Sequence, residues 1–179
     1  MALSLMGGAG AAVWQAREAG LARDRAHSAL QQSEEVTAFL MDLFRVNDPQ
    51  DARLELVTAD DLLRRGLQRV ESLSSQPLIQ ARMLGVIGEL HMQLGQYDTA
   101  VRLLRRALAG RMAELGAAHP EVADAMTQLG VVLGRRASFD EARSLFNEAL
   151  RIQRATLGPR DPALAKTLHQ LAYIEFDLR

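Results

Sequence analysis

The chain of 179 residues contains no cysteine, few aromatic residues and no excess of charge of either sign. Without cysteine it has no disulfide framework, no thiol nucleophile and no thiolate ligand for a metal. Its 21 lysines and arginines stand against 22 aspartates and glutamates. No basic face is therefore predicted, and we do not expect nucleic-acid binding. The abundance of alanine, leucine, arginine and glutamate favours helix along nearly the whole chain.

A long apolar run is also missing. The segment ALSLMGGAGAAV (Ala2–Val13) carries no charge, but a membrane-spanning helix needs about 20 apolar residues. One interpretation is the end of a longer membrane helix, with Trp14 at the membrane–water boundary. The others are a secretory signal without the usual basic start and an unstructured leader. We favour the first, so residues 1–14 are predicted to be a truncated membrane helix or leader that associates the protein with a membrane.

The next two segments precede the repeats. Residues 15–35 are alanine-rich and charged, and they predict a solvated connector helix. Residues 36–77 predict N-terminal capping helices. The first of these has the spacing of a core-facing helix and ends at Asn47-Asp48-Pro49; its apolar positions are Val36, Phe39, Leu40, Leu43 and Phe44. The second is predicted over residues 59–73, with a capping box formed by Thr58 and Asp61.

From residue 78 the sequence repeats with a period of 42 residues. LGAAHPEVADAMTQLG (115–130) and LGPRDPALAKTLHQLA (157–172) align over their whole length. Gly116 and Gly158 suit the left-handed position that ends a helix, and Pro120 and Pro162 suit the first turn of the next one. A capping box is predicted at Ser138 and Glu141. The repeat units are 78–119, 120–161 and a truncated 162–179, with helices predicted at 78–93, 97–114, 120–134, 139–156 and from 162.

Within each unit, small residues are predicted to let the two helices approach closely. They recur at Gly88, Gly130 and Ala172 in the first helix, and at Ala100, Ala107, Ala142 and Ala149 in the second. Large apolar residues are expected to fill the seams between helices: Leu84, Ile87, Leu104, Met126, Leu129, Phe146, Leu168 and Leu171. A single hairpin leaves one apolar flank exposed, so the units are stable only when stacked. The predicted fold class is an all-α stack of antiparallel helix hairpins preceded by a long N-terminal helix.

These offsets resemble the tetratricopeptide repeat, in the 42-residue variety of kinesin light chains and of many bacterial multi-repeat proteins. The matching pattern is a large apolar residue and then Leu-Gly or Leu-Ala in the first helix, followed by an aromatic residue, an acid and an alanine, as at Tyr97, Asp98 and Ala100. The resemblance implies a right-handed superhelical solenoid that binds proteins or peptides. The asparagine pair of the family is replaced here by Thr127-Gln128 and His169-Gln170.

The upstream half resembles the segment that joins a membrane helix to the repeats in bacterial membrane-anchored serine/threonine kinases. The matching stretches are WQAREAGLARDRA, VTAFLMDLFRVNDPQDA and LVTADDLLRRGLQRVE. This resemblance implies a sensory or scaffolding region beyond the membrane helix, on the extracytoplasmic side. The alternative is a soluble or secreted adaptor without a kinase, and a cytoplasmic location remains open.

No catalytic constellation is present in the sequence. Gly7-Gly8-Ala9-Gly10 has no following lysine and serine or threonine, so it is not a phosphate loop, and the kinase triplets His-Arg-Asp and Asp-Phe-Gly are absent. The four histidines, His27, His91, His119 and His169, do not have metal-ligand spacing. We therefore predict a chain that is not an enzyme and that holds neither a cofactor nor a metal.

The remaining candidate site is the concave face, which is lined by the first helix of each unit in the repeats that this chain resembles. Its outward positions mix charge, hydrogen-bonding groups and one aromatic ring, as a peptide-binding groove would; a merely solvated face would look similar. The residues predicted to form it are Arg82, Glu89, Asp124, Thr127, Val131, Lys166, His169 and Tyr173. A second predicted surface is the flank with Leu168, Leu171 and Ala172, which we expect to be exposed because the last helix lacks its partner, and which would favour self-association.

Overall fold

The structure is a computed structural model of the chain. It describes residues 58–177 and, before them, Gly20, Arg23, Leu30, Glu34, Thr37 and Ala38, all six of which are helical. The chain divides into two compact units, Met1–Asp48 and Pro49–Arg179. The predicted membrane segment at 1–14 lies outside the described residues, as do most of the connector at 15–35 and of the helix at 36–46. The long N-terminal helix therefore stays a prediction.

Residues 58–177 form helices joined by short turns, with no strand among them. Their helices are α1 (Ala59–Glu71), α2 (Pro77–Gln93), α3 (Tyr97–Leu115), α4 (Pro120–Arg135), α5 (Phe139–Thr156) and α6 (Pro162–Asp177). Helix α2 packs on α3 and α4 on α5, and each hairpin packs on the next. The all-α repeat fold is confirmed, and the helix ends agree with the predicted ones to within two residues because prolines and turn residues mark them.

The helix starts are stabilised by caps of different quality. The predicted capping box at α1 is confirmed, since the Asp61 N–H donates to Thr58 Oγ1 at 3.2 Å and the Thr58 N–H donates to the Asp61 carboxylate at 3.2 Å. The one predicted at α5 is wrong. Ser138 makes no side-chain capping bond, with φ −87° and ψ 61°. Glu141 instead accepts a hydrogen bond from Arg105 of the preceding hairpin at 2.6 Å.

Positive φ angles occur mainly at the turns inside the hairpins. Gly116 has φ 82°, as predicted, but Gly158 does not have a positive φ, so that part of the prediction is wrong. The turn between α2 and α3 has Gly95 at φ 74°, and the matching position 42 residues later, between α4 and α5, has Ala137 at φ 59°. An alanine in this left-handed region is strained, because its Cβ approaches its own backbone.

The hairpin seams are built from glycine against a large side chain. A Cβ on Gly88 would lie 2.9 Å from Leu104 Cγ, and one on Gly130 would lie 2.6 Å from Phe146 Cε1. Phe146 is fully buried, in a cluster with Ala100, Leu129 and other apolar residues of α3, α4 and α5. The predicted small-to-large pairing is therefore the contact that closes each hairpin.

Helix α1 has the burial pattern of the second helix of a hairpin. Its buried residues Leu63, Gly66 and Val70 have the same spacing as Leu104, Ala107 and Arg111 in α3. The set Phe146, Ala149 and Gln153 in α5 repeats that spacing again. Helix α1 thus covers α2 in the way that α3 covers α4.

Helix α6 differs from the equivalent helices α2 and α4 in its exposure. Leu168 is 44% exposed, although Leu84 and Met126, at the matching positions, are 3% and 7% exposed. Leu168 therefore does not fill a seam among the described residues, which corrects that part of the prediction. Ala172 is also exposed and Leu171 is half-buried.

Candidate functional site

Helices α2, α4 and α6, the first helices of successive hairpins, lie side by side and line two adjoining pockets. Val131 and Gln170 belong to both pockets, so the pockets form one continuous depression. We call this depression the A-helix groove; its lining residues are Glu89, Met92, Leu104, Thr127, Gln128, Val131, Gly134, Arg135, Phe146, Lys166, His169, Gln170, Tyr173 and Ile174.

The two pockets differ in charge. The first has a volume of about 110 Å³, with Met92 and Leu104 among its apolar groups and with one carboxylate, Glu89, and one ammonium, Lys166. The second has a volume of about 230 Å³ and includes Phe146, Arg135 and His169 but no carboxylate. Apolar surface with a few polar groups around it is typical of a site for small ligands or side chains.

Six of the eight residues predicted from the sequence line the groove. Glu89, Thr127, Val131 and Lys166 are in the first pocket, and Val131, His169 and Tyr173 are in the second. Asp124 is exposed but lines neither pocket. Gln128 and Gln170 also line the groove but were not predicted to do so. Each directly follows a predicted residue, and the two lie one repeat period of 42 residues apart. The repeat period could therefore have identified them.

Thr127 was predicted to face outward, and this prediction is wrong. Its side chain is 3% exposed. The Thr127 hydroxyl donates to the Ala123 carbonyl at 3.0 Å and is 3.1 Å from Thr167 Oγ1 on α6. The helical register turns position 127 toward the neighbouring hairpin, so Thr127 joins α4 to α6 beneath the groove.

Arg82 was also predicted to face outward into the groove, and this prediction is wrong because its guanidinium forms an ion pair with Glu121. Nε and Nη2 donate to the two carboxylate oxygens of Glu121 at 3.0 and 2.9 Å, which ties α2 to the first turn of α4. Loss of solvation by itself would raise the pKa of Glu121. The hydrogen bonds from Arg82 and the charges of Arg82, Arg111 and His119 outweigh that effect and lower the pKa.

Arg111 lies beneath this ion pair and is 3% exposed. Its Nη1 donates to the Glu121 carbonyl at 3.3 Å, and within the described part of the chain its Nε has no hydrogen-bond partner. Desolvation lowers its pKa, opposed by the charges of Glu121 and Asp124. Gly85 leaves the space that this guanidinium fills, since a Cβ there would be 3.0 Å from Arg111 Nη2. A buried arginine was not predicted from the sequence.

Asp124 is accessible to solvent and yet surrounded by protein, as a residue on a concave surface is. The resulting loss of solvation raises the pKa of its carboxyl, an effect that the charges of Arg111 and Lys166 oppose. Asp124 makes no hydrogen bond with any described residue. Its carboxylate thus remains available to a partner.

Several charged groups outside the groove form ion pairs between helices. Arg105 pairs with Glu141 at 2.6 Å and Arg106 with Glu71 at 2.8 Å, each between neighbouring hairpins. Arg136 pairs with Asp98 at 3.0 Å. By contrast, Glu89, Arg135 and Lys166 form no ion pair with any described residue. These three charges are therefore open to a partner, as are several exposed charges outside the pockets, among them Arg65, Glu114 and Arg154.

Two kinds of site were not found among the described residues. No group of three histidine, aspartate or glutamate residues in this part of the chain could hold a metal ion. Across residues 58–177 and the few described before them, no helix is both long and apolar enough to cross a bilayer.

The comparisons with known proteins find relatives that contain helical repeats of this kind. Residues 79–155 match a protein-family model described as tetratricopeptide repeat. Protein KINESIN LIGHT CHAIN-RELATED 1 of Arabidopsis thaliana is 33% identical over 93 residues, which are 51% of this chain and 15% of the plant protein. This chain thus spans only a small part of that relative.

Solved structures share the fold. A candidate kinesin light chain from Podosopora anserina with nearly identical TPR-like repeats superposes with a TM-score of 0.58 at 22% identity, covering 64% of this chain and 55% of that one. BtubC (BKLC) from P. vanneervenii superposes with a TM-score of 0.60 at 20% identity, covering 88% of this chain and 66% of that one. Residues 79–155 thus match the tetratricopeptide repeat model, and the chain has the kinesin-light-chain-like repeat fold of these solved structures.

Proposed function

We propose that the A-helix groove binds an extended peptide segment of a protein partner and that the chain acts without catalysis. The observation that carries this proposal is a pair of adjoining pockets on the first helices of the hairpins, which combine apolar groups with exposed charges that make no ion pair with a described residue. Glu89, Lys166 and Arg135 make no ion pair with any described residue, so their charges are available to a partner. Tetratricopeptide repeats are typically non-catalytic protein-binding modules, and the match to this family supports this function.

Val131 offers a direct test, because it is the half-buried residue of α4 that contributes to both pockets. Val131→Arg would fill the depression with a charged side chain. The matched control is Ser144→Arg, which adds the same side chain at an exposed position of α5. A random peptide library displayed on phage is selected against the unmodified chain and against both variants, and circular dichroism checks that all three fold.

We expect the unmodified chain and the Ser144 variant to enrich related peptides and the Val131 variant to enrich none of them. The proposal would be rejected if the Val131 variant, folded normally, retained the same peptides with the same affinity. Binding would then use another surface.

We further propose that this module is the sensory or scaffolding region of a membrane-anchored serine/threonine kinase, with the repeats on the extracytoplasmic side. The support is the resemblance of residues 14–26, 36–52 and 56–71 to the connector of such kinases, together with the uncharged segment at 2–13. The coding sequence upstream of Met1 tests it: a kinase domain followed by the start of a membrane helix is expected. Their absence would favour the alternative, a soluble or secreted adaptor, and recovery of the native protein in a soluble fraction would do the same.

A further inference from the structure

The charges of the A-helix groove are not spread evenly along the stack of hairpins. Helix α2 contributes Glu89, and helix α6 contributes Lys166 together with His169. Helix α4, between them, has one exposed group of each sign, Asp124 and Arg135. Among the residues that line the pockets, the unpaired charge therefore changes from negative at Glu89 on α2 to positive at Lys166 on α6; Glu175, also exposed on α6, lines neither pocket.

Arg82, Arg111, Glu121 and Asp124 line neither pocket and do not alter this direction. Arg82 is bonded to both carboxylate oxygens of Glu121, so these two charges cancel. Arg111 is buried beneath Glu121 and Asp124 and is not exposed to a partner. The second pocket, toward α6, has no carboxylate in its lining.

We propose that the partner segment is itself charge-polarised, with a basic group that lies over Glu89 on α2, an apolar stretch in the two pockets and an acidic group that contacts Lys166 and Arg135. This proposal rests on the peptide-binding function proposed above and adds the chemistry and the direction of the bound segment. Complementary charge around the edge of an interface fixes orientation and excludes wrong partners more than it adds affinity. The apolar groups that hold the middle of the segment include Met92, Val131 and Phe146.

Geometry sets the spacing of the charged groups in such a segment. Packed helices lie roughly 8–10 Å apart, so the distance from α2 across α4 to α6 is about 16–20 Å. An extended chain advances about 3.3 Å per residue. About five or six extended residues would span the axes of α2 and α6, and the basic and acidic groups lie closer together than that because Glu89 and Lys166 line the same pocket. An arginine such as Arg135 suits the acidic end, because its planar guanidinium can bind a carboxylate through two hydrogen bonds.

The test is a selection from a random peptide library against the chain and against a charge-reversed variant, Glu89→Lys with Arg135→Glu and Lys166→Glu. The three side chains are exposed and make no ion pair with a described residue, so the fold should survive the change. The matched control, Glu114→Lys with Arg154→Glu and Arg160→Glu, makes the same change in net charge at exposed positions outside both pockets.

We expect the unmodified chain and the control to enrich peptides with basic and acidic residues at opposite ends of an apolar stretch, in one order. The charge-reversed variant should enrich the opposite order. For a selected peptide, reversing its charge order should weaken binding about three- to tenfold, since exposed ion pairs contribute little each. The difference should shrink at high salt.

The inference is overturned if the selected peptides have no charge order, or if the charge-reversed variant selects the same order as the unmodified chain. Either result leaves the proposed function intact, provided that Val131→Arg still abolishes enrichment. Failure of every library peptide to bind would overturn both the inference and the proposed function.

Discussion

Ala137 and Gly95 show how one residue position of the repeat is filled in two ways. Both lie in the turn between the helices of a hairpin, with φ angles of 59° and 74°. A Cβ on Gly95 would have no atom within 4 Å, so only backbone strain separates the two residues at this position. The left-handed conformation costs a residue with a Cβ about 1–2 kcal/mol, while glycine loses about 0.5–1 kcal/mol in chain entropy on folding.

We therefore expect Ala137→Gly to stabilise the fold by about 0.5 kcal/mol and Gly95→Ala to destabilise it by a similar amount. Urea denaturation monitored by circular dichroism measures both. The two changes combined should nearly cancel, which serves as the internal control. A destabilised Ala137→Gly variant would show that strain does not dominate at this turn.

The seam of the second hairpin yields a second prediction at the residue scale. A Cβ on Gly130 would lie 2.6 Å from Phe146 Cε1, and a buried aromatic ring cannot move aside easily. Gly130→Ala should destabilise the fold by about 1–3 kcal/mol through overpacking. In a double-mutant cycle with Phe146→Leu, the combined loss should be smaller than the sum of the single losses. Additive losses would mean that the two positions do not clash.

At the scale of helices, the pair between Arg82 of α2 and Glu121 of α4 joins the first two hairpins. Both side chains are mostly buried, with exposed fractions of 12% and 16%. The folded state lowers the pKa of Glu121. A carboxyl whose pKa is lowered by folding contributes stability above its unfolded pKa and loses it as the pH falls through the folded value.

We expect Glu121→Gln to destabilise the chain by about 1–2 kcal/mol at neutral pH. The difference from the unmodified chain should shrink as the pH falls below about 4.5, where the unmodified chain also loses the charge. Asp124, whose pKa is raised in part by the charge of Glu121, has the opposite dependence, so the comparison is made with Asp124→Asn in both proteins. Thermal unfolding across pH measures the difference, and a constant difference at all pH values would contradict the role of the Glu121 charge.

At the scale of the whole molecule, a repeat stack depends on each hairpin covering the next. Val132 of α4 is fully buried in a cluster that also holds Ala100 and Val101 of the preceding hairpin. The preceding hairpin covers the side of α6 that carries Ile174, which is 2% exposed. The side of α6 that carries Leu168 is open among the described residues.

We expect this open side of α6 to cause self-association of the chain as given, because an exposed apolar flank favours contact with another molecule. Leu168→Glu should reduce the oligomer seen in sedimentation velocity experiments at increasing concentration, without loss of helix. Ser144→Glu, on an exposed position of α5, is the control and should leave the oligomer unchanged. Equal oligomer content in the Leu168 variant and the unmodified chain would contradict the prediction.

The repeat architecture could be predicted because it depends on short sequence features that recur in each repeat. Prolines at helix starts, a capping box at Thr58 and glycines opposite Leu104 and Phe146 each act within one or two helices. Six of the eight groove positions followed from the same register. Arg82 and Asp124 line neither pocket, and Thr127 lines the first pocket but is buried instead of facing outward. A register gives only the side of a helix, and the partners of Thr127 and Arg82, Thr167 and Glu121, lie 40 and 39 residues away in the chain.

The sequence by itself determined the all-helical hairpins and their period, since both depend on residue spacing along one or two turns of helix. The tertiary structure decided what spacing cannot express. It placed Arg111 beneath the groove, because Gly85 left room for a guanidinium between α2 and α4. It also decided which charges became ion pairs between hairpins and which stayed unpaired around the pockets, because pairing depends on distances across helices that are far apart in the chain.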